Sequence, residues 1–511
     1  MANTKRYWSG LDELHETEAF KTIQEHEFPE TKSVDEFLSD DRIESTHTGR
    51  RDFLKFMGFS LTAATLAACE TPVIKSIPYT NKPSDVTPGV ANHYASTYYD
   101  GQDFINVLVK TREGRPIFVK SNGRTGIGRV NARVNASVMS LYDSARLEGP
   151  TKGGESSSWT TIDAAVKSGL EAAGRNVLLT NTIMSPSILR SIETLKATSN
   201  VEHVSYDAVD YGAFRAAAIV DFGINSLPSY QFDMAETVVT IGADFLGTFA
   251  DSIFYAERWA KTRRPENGSM SRLHAFETNM SLTGSNADYR TMVKPSEQGK
   301  VAAALLSAIS GNSATNTLSE VANAAIQSAA TDLKKSGTKG LVLAGSNDLH
   351  TQRLVNAINA ALGAVGTTVL FDHEKGLFQG DQAAFQQLLK DMNAGKVSTL
   401  IVSDCNPAYD AVNAEEFIAG LAKVKTSVST AMVADETASR CGMIAPNHHW
   451  LESWSDLQIE KNRIDLVQPT IAPLFDTRAS GLSFLTWCNA DAGMDWYTYL
   501  RSTYNGSYAA E

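Results

Sequence analysis

The chain has 511 residues, of which 42% are hydrophobic and 20% charged, and a formal net charge of -12. That length exceeds what one hydrophobic core sustains, so at least two domains are expected, and the composition excludes a disordered or integral membrane protein. The acidic balance offers no general attraction to phosphate backbones, which argues against a nucleic-acid partner, and no apolar run reaches the roughly 20 residues that a spanning helix needs.

Residues 1–69 read as an N-terminal extension that ends in an export signal. Its opening holds Tyr7, Trp8, Leu11, Leu14, Phe20, Ile23 and Phe28, an apolar content too high for a plain solvated spacer. Gly49-Arg50-Arg51-Asp52-Phe53-Leu54-Lys55 resembles the twin-arginine export motif, with Arg50, Arg51, Phe53 and Leu54 carrying the match. A weakly apolar stretch at 56–66 follows and runs into Leu66-Ala67-Ala68-Cys69, which resembles a lipobox. The likeness implies folded export to the periplasmic side of a bacterial inner membrane. Cys69 would then be a lipid attachment point, and the mature chain peripheral or lipid-anchored.

Residues 70–150 form the next segment. The Pro-, Thr- and Asn-rich stretch at 78–97 is expected to be extended, and 104–110 and 116–121 read as two strands of a hairpin. The Gly/Ser-rich stretch at 151–158 reads as a linker. Beyond it, strands at 176–180, 201–206, 237–241 and 272–276 alternate with helices near 187–198, 211–222, 252–262 and 297–310. The alternation restarts with strands at 340–344, 367–371 and 398–402, and helices near 349–362 and 383–392. The expected fold class is α/β, with two doubly wound parallel-sheet domains at 151–330 and 331–430. A β-rich N-terminal segment and a mixed C-terminal segment at 431–511 flank them.

Several of these pieces carry a family likeness. The hairpin at 106–120, followed by Ser140-Leu141-Tyr142-Asp143-Ser144-Ala145-Arg146-Leu147, resembles the opening of the molybdopterin oxidoreductases. Ile241-Gly242-Ala243-Asp244 and Ser403-Asp404-Cys405-Asn406-Pro407 follow expected strands, where that family holds its paired pterin-nucleotide loops. Ala445-Pro446, Trp450-Leu451-Glu452 and Gln468-Pro469 are similar to a later stretch of the same family. The likeness implies a molybdopterin oxidoreductase-like fold over residues 95–490.

The departures bear on function. A cubane cluster needs four thiolates near the hairpin, and between Glu70 and Asp404 there is no cysteine. No residue is assignable as a protein ligand to molybdenum. The first loop carries Asp244-Phe245-Leu246 where Asn-Pro is expected, which would set a carboxylate against phosphate. No catalytic, cofactor-binding or metal residue is therefore assigned in this chain.

Tyr7-Trp8-Ser9-Gly10-Leu11-Asp12-Glu13-Leu14, the twin-arginine segment, Cys69-Glu70-Thr71-Pro72 and Tyr79-Thr80-Asn81-Lys82-Pro83 resemble the B-subunit family of alternative complex III, a bacterial quinol oxidoreductase. The resemblance implies a cofactor-free structural and docking subunit. Iron-sulfur clusters would lie on a continuation or a ferredoxin-like partner module, and haem c on a multihaem cytochrome subunit. An integral membrane quinol-binding subunit completes the implied partners. Two other readings stay open: an active molybdenum or tungsten enzyme whose metal is held by the pterin alone, and an exported small-molecule binding lipoprotein.

Three weaker patterns remain. His448-His449 with Glu452 has metal-ligand chemistry, but Pro446 disfavours a long helix and a structural role is expected. Cys405, Cys441 and Cys488 are expected as buried small apolar side chains. Gly345-Ser346-Asn347-Asp348, between a strand and a helix, has the form of a phosphate-binding turn, a form common to such domains.

Overall fold

The computed structural model describes residue 87 and residues 89–123, 129–312, 316–460 and 463–504. Arg50, Arg51, Phe53, Leu54 and Cys69 lie outside the described residues. The strands in chain order are β1 (Ala91–Tyr99), β2 (Phe104–Arg112), β3 (Arg115–Ser121), β4 (Thr151–Lys152), β5 (Glu155–Ser156) and β6 (Arg175–Thr180). Then come β7 (Val201–Ser205), β8 (Leu227–Tyr230), β9 (Thr237–Ile241), β10 (Arg272–Glu277), β11 (Tyr289–Met292) and β12 (Gly340–Ala344). The last are β13 (Val369–Lys375), β14 (Val397–Ser403), β15 (Thr426–Ser429), β16 (Met443–Ile444), β17 (Ser455–Leu457) and β18 (Asp465–Val467). With 14 α-helices among the described residues and both parallel and mixed sheets, the fold class is α/β.

Two sheets carry the body. A seven-stranded sheet runs β5-β4-β16-β15-β14-β6-β7, parallel from β16 to β7, and a four-stranded parallel sheet runs β11-β10-β9-β12. Their inner strands are continuous apolar or β-branched runs, such as Thr237-Val238-Val239-Thr240-Ile241, and every residue of β9, β12 and β14 is buried. A strand covered on both faces needs that pattern. The helices between are capped by short polar side chains: Ser185 accepts the Ile188 amide, Asp348 that of Thr351 and Asp381 that of Ala384.

Each sheet takes strands from both sides of residue 330. β6, with β7 on its other side, pairs with β14, while β12 joins β9. Strand pairing therefore does not follow the sequence division into 151–330 and 331–430. An apolar run tells that a strand is buried, but not which neighbour buries it.

Two further differences have local causes. The stretch expected as a linker forms the β4–β5 hairpin, whose β4 adds antiparallel to the edge strand β16. The strand expected at 367–371 belongs to neither large sheet: β13 pairs antiparallel with β8. Residues 91–97 are extended as expected, as part of β1, which pairs with β2 along its whole length. The other side of β1 is covered, since Ser96 Oγ donates to the Gln468 carbonyl at 2.9 Å and Thr97 Oγ1 to that of Leu466 at 3.0 Å. The expected β2–β3 hairpin is present, turning at Glu113 (φ 52°) and Gly114 (φ 77°), two left-handed residues as a tight hairpin requires.

Candidate functional site

In open α/β sheets, ligands sit outside the carboxyl ends of the strands where the strand order reverses. In the seven-stranded sheet that place is the boundary of β6 and β14, because the chain leaves β6 for β7 on one side and returns to β14 on the other. A cavity of about 400 Å³ lies there. Its walls are the residues that follow four parallel strands: Asn181 to Met184 after β6, Asp404 after β14, Met432 after β15, and Asn447 to Trp450 after β16. The β1–β2 turn (Tyr98 to Gly101), Trp454 and Trp496 close the rest.

The polar groups of this cavity are mostly committed. Asp100 accepts the Gln102 amide at 2.9 Å, the Asp103 amide at 2.7 Å and the Tyr98 hydroxyl at 3.0 Å, so it holds its own turn. Burial pushes the Tyr98 and Tyr99 phenols up, and neighbouring carboxylates push them the same way. Asp404 differs. It adopts a left-handed conformation (φ 57°), faces the cavity, and accepts one hydrogen bond, from Ser403 Oγ at 3.0 Å. The protein packed around it raises its carboxyl pKa. No lysine or arginine lines the cavity among the described residues.

Behind the wall, two stretches that are 306 residues apart meet. Arg146 and Glu452 form a two-pronged ion pair, Nη1 to Oε1 at 3.0 Å and Nη2 to Oε2 at 2.7 Å, with side chains 2% and 0% exposed. Glu452 also accepts the amides of His449 at 2.9 Å and Leu474 at 3.1 Å. Burial alone would raise its pKa, but Arg146 and these amides outweigh that and hold it below the usual carboxyl value. His449 Nδ1 accepts the Leu451 amide at 3.2 Å, so Nε2 carries the proton and donates to Ser140 Oγ at 2.9 Å. Burial, then the charge of Arg146, push its pKa down to about 4.

The trio His448, His449 and Glu452, for which a structural role is expected, forms a structural knot. Both oxygens of Glu452 and both ring nitrogens of His449 have partners, and His448 Nδ1 lies 2.6 Å from Thr477 Oγ1. Cys405 and Cys441 border one core cluster and Cys488 sits in another. Burial raises all three thiols, Cys441 to about 12. Among the described residues, no group of three or more His, Cys, Asp or Glu side chains is placed to hold a metal ion.

The two loops in the nucleotide-binding positions follow β9 and β14, one on each large sheet. After β9, the Asp244 carboxylate accepts the Thr283 amide at 2.9 Å and its hydroxyl at 2.8 Å. The Asp244 carbonyl accepts the amides of Gly247, Thr248 and Phe249 at 3.1, 3.0 and 2.9 Å. Phe245 is fully buried and stacks on Phe232 with centroids 4.1 Å apart, which gives a packing reason for the Asp-Phe pair. At the order reversal of this sheet, Gly345 is pressed against Gly242: a Cβ on Gly345 would collide with the Gly242 carbonyl, and Gln298 covers the other side of Gly242. The candidate phosphate turn at 345–348 is likewise engaged. Asn347 Oδ1 accepts the Ala213 amide at 2.9 Å, and Gln352 donates to the Ser346 carbonyl at 2.6 Å.

After β14, Asn406 Oδ1 accepts the Thr437 amide at 3.1 Å and hydroxyl at 2.7 Å, while Asn406 Nδ2 donates to Glu436 at 2.8 Å. A phosphate at the loop after β14 would meet Asp404 with no lysine or arginine in that cavity's wall among the described residues, whereas the cavity that Asp244 lines after β9 also holds Arg129, Arg133, Lys261 and Arg264.

Three site residues were hidden from sequence reasoning. The Arg146–Glu452 pair joins stretches that each resemble the family, but nothing in one sequence couples them. Asp404 stood within a loop motif whose acid was not singled out, although an Asp directly after a buried apolar strand is a usable signal.

No family model matches the sequence, and no curated protein matches it. Among solved structures, the chain is similar to acetylene hydratase from Pelobacter acetylenicus, at 12% identity over 80% of this chain and 71% of that one, with a TM-score of 0.56. It also matches the formyltransferase/hydrolase complex FhcABCD from Methylorubrum extorquens, at 12% identity over 66% of this chain and 98% of that one, with a TM-score of 0.47. That second likeness is too slight to carry an argument. The first shows the fold alone: a molybdopterin oxidoreductase-like fold.

Proposed function

We propose that the chain is a cofactor-free structural and docking subunit of a membrane-attached, quinol-oxidising electron-transfer complex of the alternative complex III kind. The observation that carries the reading is the carboxylate set in each loop, Asp244 after β9 and Asp404 after β14, on a fold whose likeness is to the molybdopterin oxidoreductases. A loop that binds a nucleotide presents free amides or cations. After β9 the amides of Gly247, Thr248 and Phe249 are spent on the Asp244 carbonyl, and after β14 that of Ala408 is spent on Thr437 Oγ1.

In this reading the partners are a ferredoxin-like iron-sulfur module, an integral membrane quinol-binding subunit and a multihaem cytochrome c. Arg50, Arg51, Phe53 and Leu54 direct export by the twin-arginine route, and Cys69 takes the lipid that holds the chain at the periplasmic face of the membrane. Folded export suits a chain that travels joined to a cluster-bearing module. The second reading, an active molybdenum or tungsten enzyme, is favoured by the likeness to acetylene hydratase.

Mild-detergent isolation of the full chain from its native membrane tests the proposal. The docking subunit co-migrates with haem-bearing and iron-sulfur-bearing chains and loses its membrane attachment when Cys69 is replaced by Ser. A monodisperse chain that purifies alone contradicts it.

A further inference from the structure

We propose that the cavity at the carboxyl ends of β6, β14, β15 and β16 binds a small organic cation, an alkylammonium or amidinium group on a compact body. The cavity is built for a ligand of that sign. Its ionisable walls are Asp100, Asp404, two tyrosines and two histidines, and no lysine or arginine reaches it among the described residues. Burial lowers the pKa of both histidines, so neither contributes positive charge near neutral pH.

Of the two carboxylates, Asp100 is consumed by three hydrogen bonds within its turn, whereas Asp404 accepts one and keeps lone pairs for a guest. Tyr98 and Tyr99 line the same cavity as Asp404. Trp450, Trp454 and Trp496 add further rings to the wall, and the negative face of an aromatic ring attracts a cation. A volume of about 400 Å³ lies within the ordinary range for small-molecule sites.

The inference does not depend on the docking role. Choline and benzamidine are the probes, titrated into the purified full chain by calorimetry, with pyrophosphate and guanosine monophosphate as anionic counterparts. Saturable binding of at least one cation is expected, weakening as pH falls and Asp404 takes up a proton. Asp404→Asn should lose about tenfold or more in affinity. Asparagine tolerates the left-handed backbone at this position, so the variant keeps the fold. Trp454→Leu should weaken choline binding independently of the carboxylate. Absence of saturable binding by either cation, unchanged affinity in Asp404→Asn, or preferential binding of the anions would overturn the proposal.

Discussion

Asp404, Arg146, Glu452 and His449 show how little of the site is decided by residue type alone. Arg146 and Glu452 are both almost fully enclosed, and their geometry is two-pronged with extra amide donors on the carboxylate. Removing one partner leaves the other charge buried and uncompensated. Glu452→Gln or Arg146→Met should therefore cost about 3–5 kcal/mol in denaturant melts, and the double variant Arg146→Met/Glu452→Leu much less than the sum. A double-variant loss equal to the sum of the two single losses would show that the pair is not the cause.

His449 gives a pH signature. Its folded pKa of about 4 lies below the ordinary histidine value, so the unfolded chain takes up the proton first as pH falls. The stability it contributes is complete above the unfolded pKa and is lost as pH falls toward the folded value, by up to ~3 kcal/mol. His203, His274 and His448 are shifted the same way by burial. The raised carboxyls of Asp404, Asp410 and Asp435 act oppositely, since they stabilise at low pH and that contribution is lost as pH rises through their folded pKa. The melting temperature should fall between pH 7 and 5, and His449→Asn should shrink the fall without abolishing it. A variant that falls as steeply as the wild type would remove His449 from this account.

At the scale of elements, periodicity and caps were legible because their causes are local. The helices Ser252–Thr262 and Leu349–Leu362 and the strands β9 and β12 lie at their expected positions, since each is a run of apolar residues bounded by short polar or glycine residues. Pairing was not legible. β12 and β14 are both five to seven buried residues, so nothing intrinsic sends one to β9 and the other to β6. The β4–β5 hairpin has two residues per strand and glycines 153 and 154 at its turn, which read as a linker until β16 supplies an edge. Helices Ser480–Trp487 and Trp496–Tyr504 escaped notice because they are only 8 and 9 residues long.

At the scale of the whole molecule, the likeness first drawn from scattered motifs agrees with the fold, and the same motifs show what became of the loops. Asp244-Phe245 is a departure with a packing purpose, because the ring fills the core and the carboxylate ties down Thr283. What one sequence could not reveal is the place of Asp404 on the wall of an acidic, aromatic cavity, since the other walls come from residues 97 to 496. The central claim is that this architecture works without a pterin. The most direct test is the molybdenum, tungsten and extractable pterin content of the full chain, isolated in its native assembly. Molar ratios near zero for all three are predicted, and stoichiometric metal with a fluorescent pterin oxidation product would contradict the account.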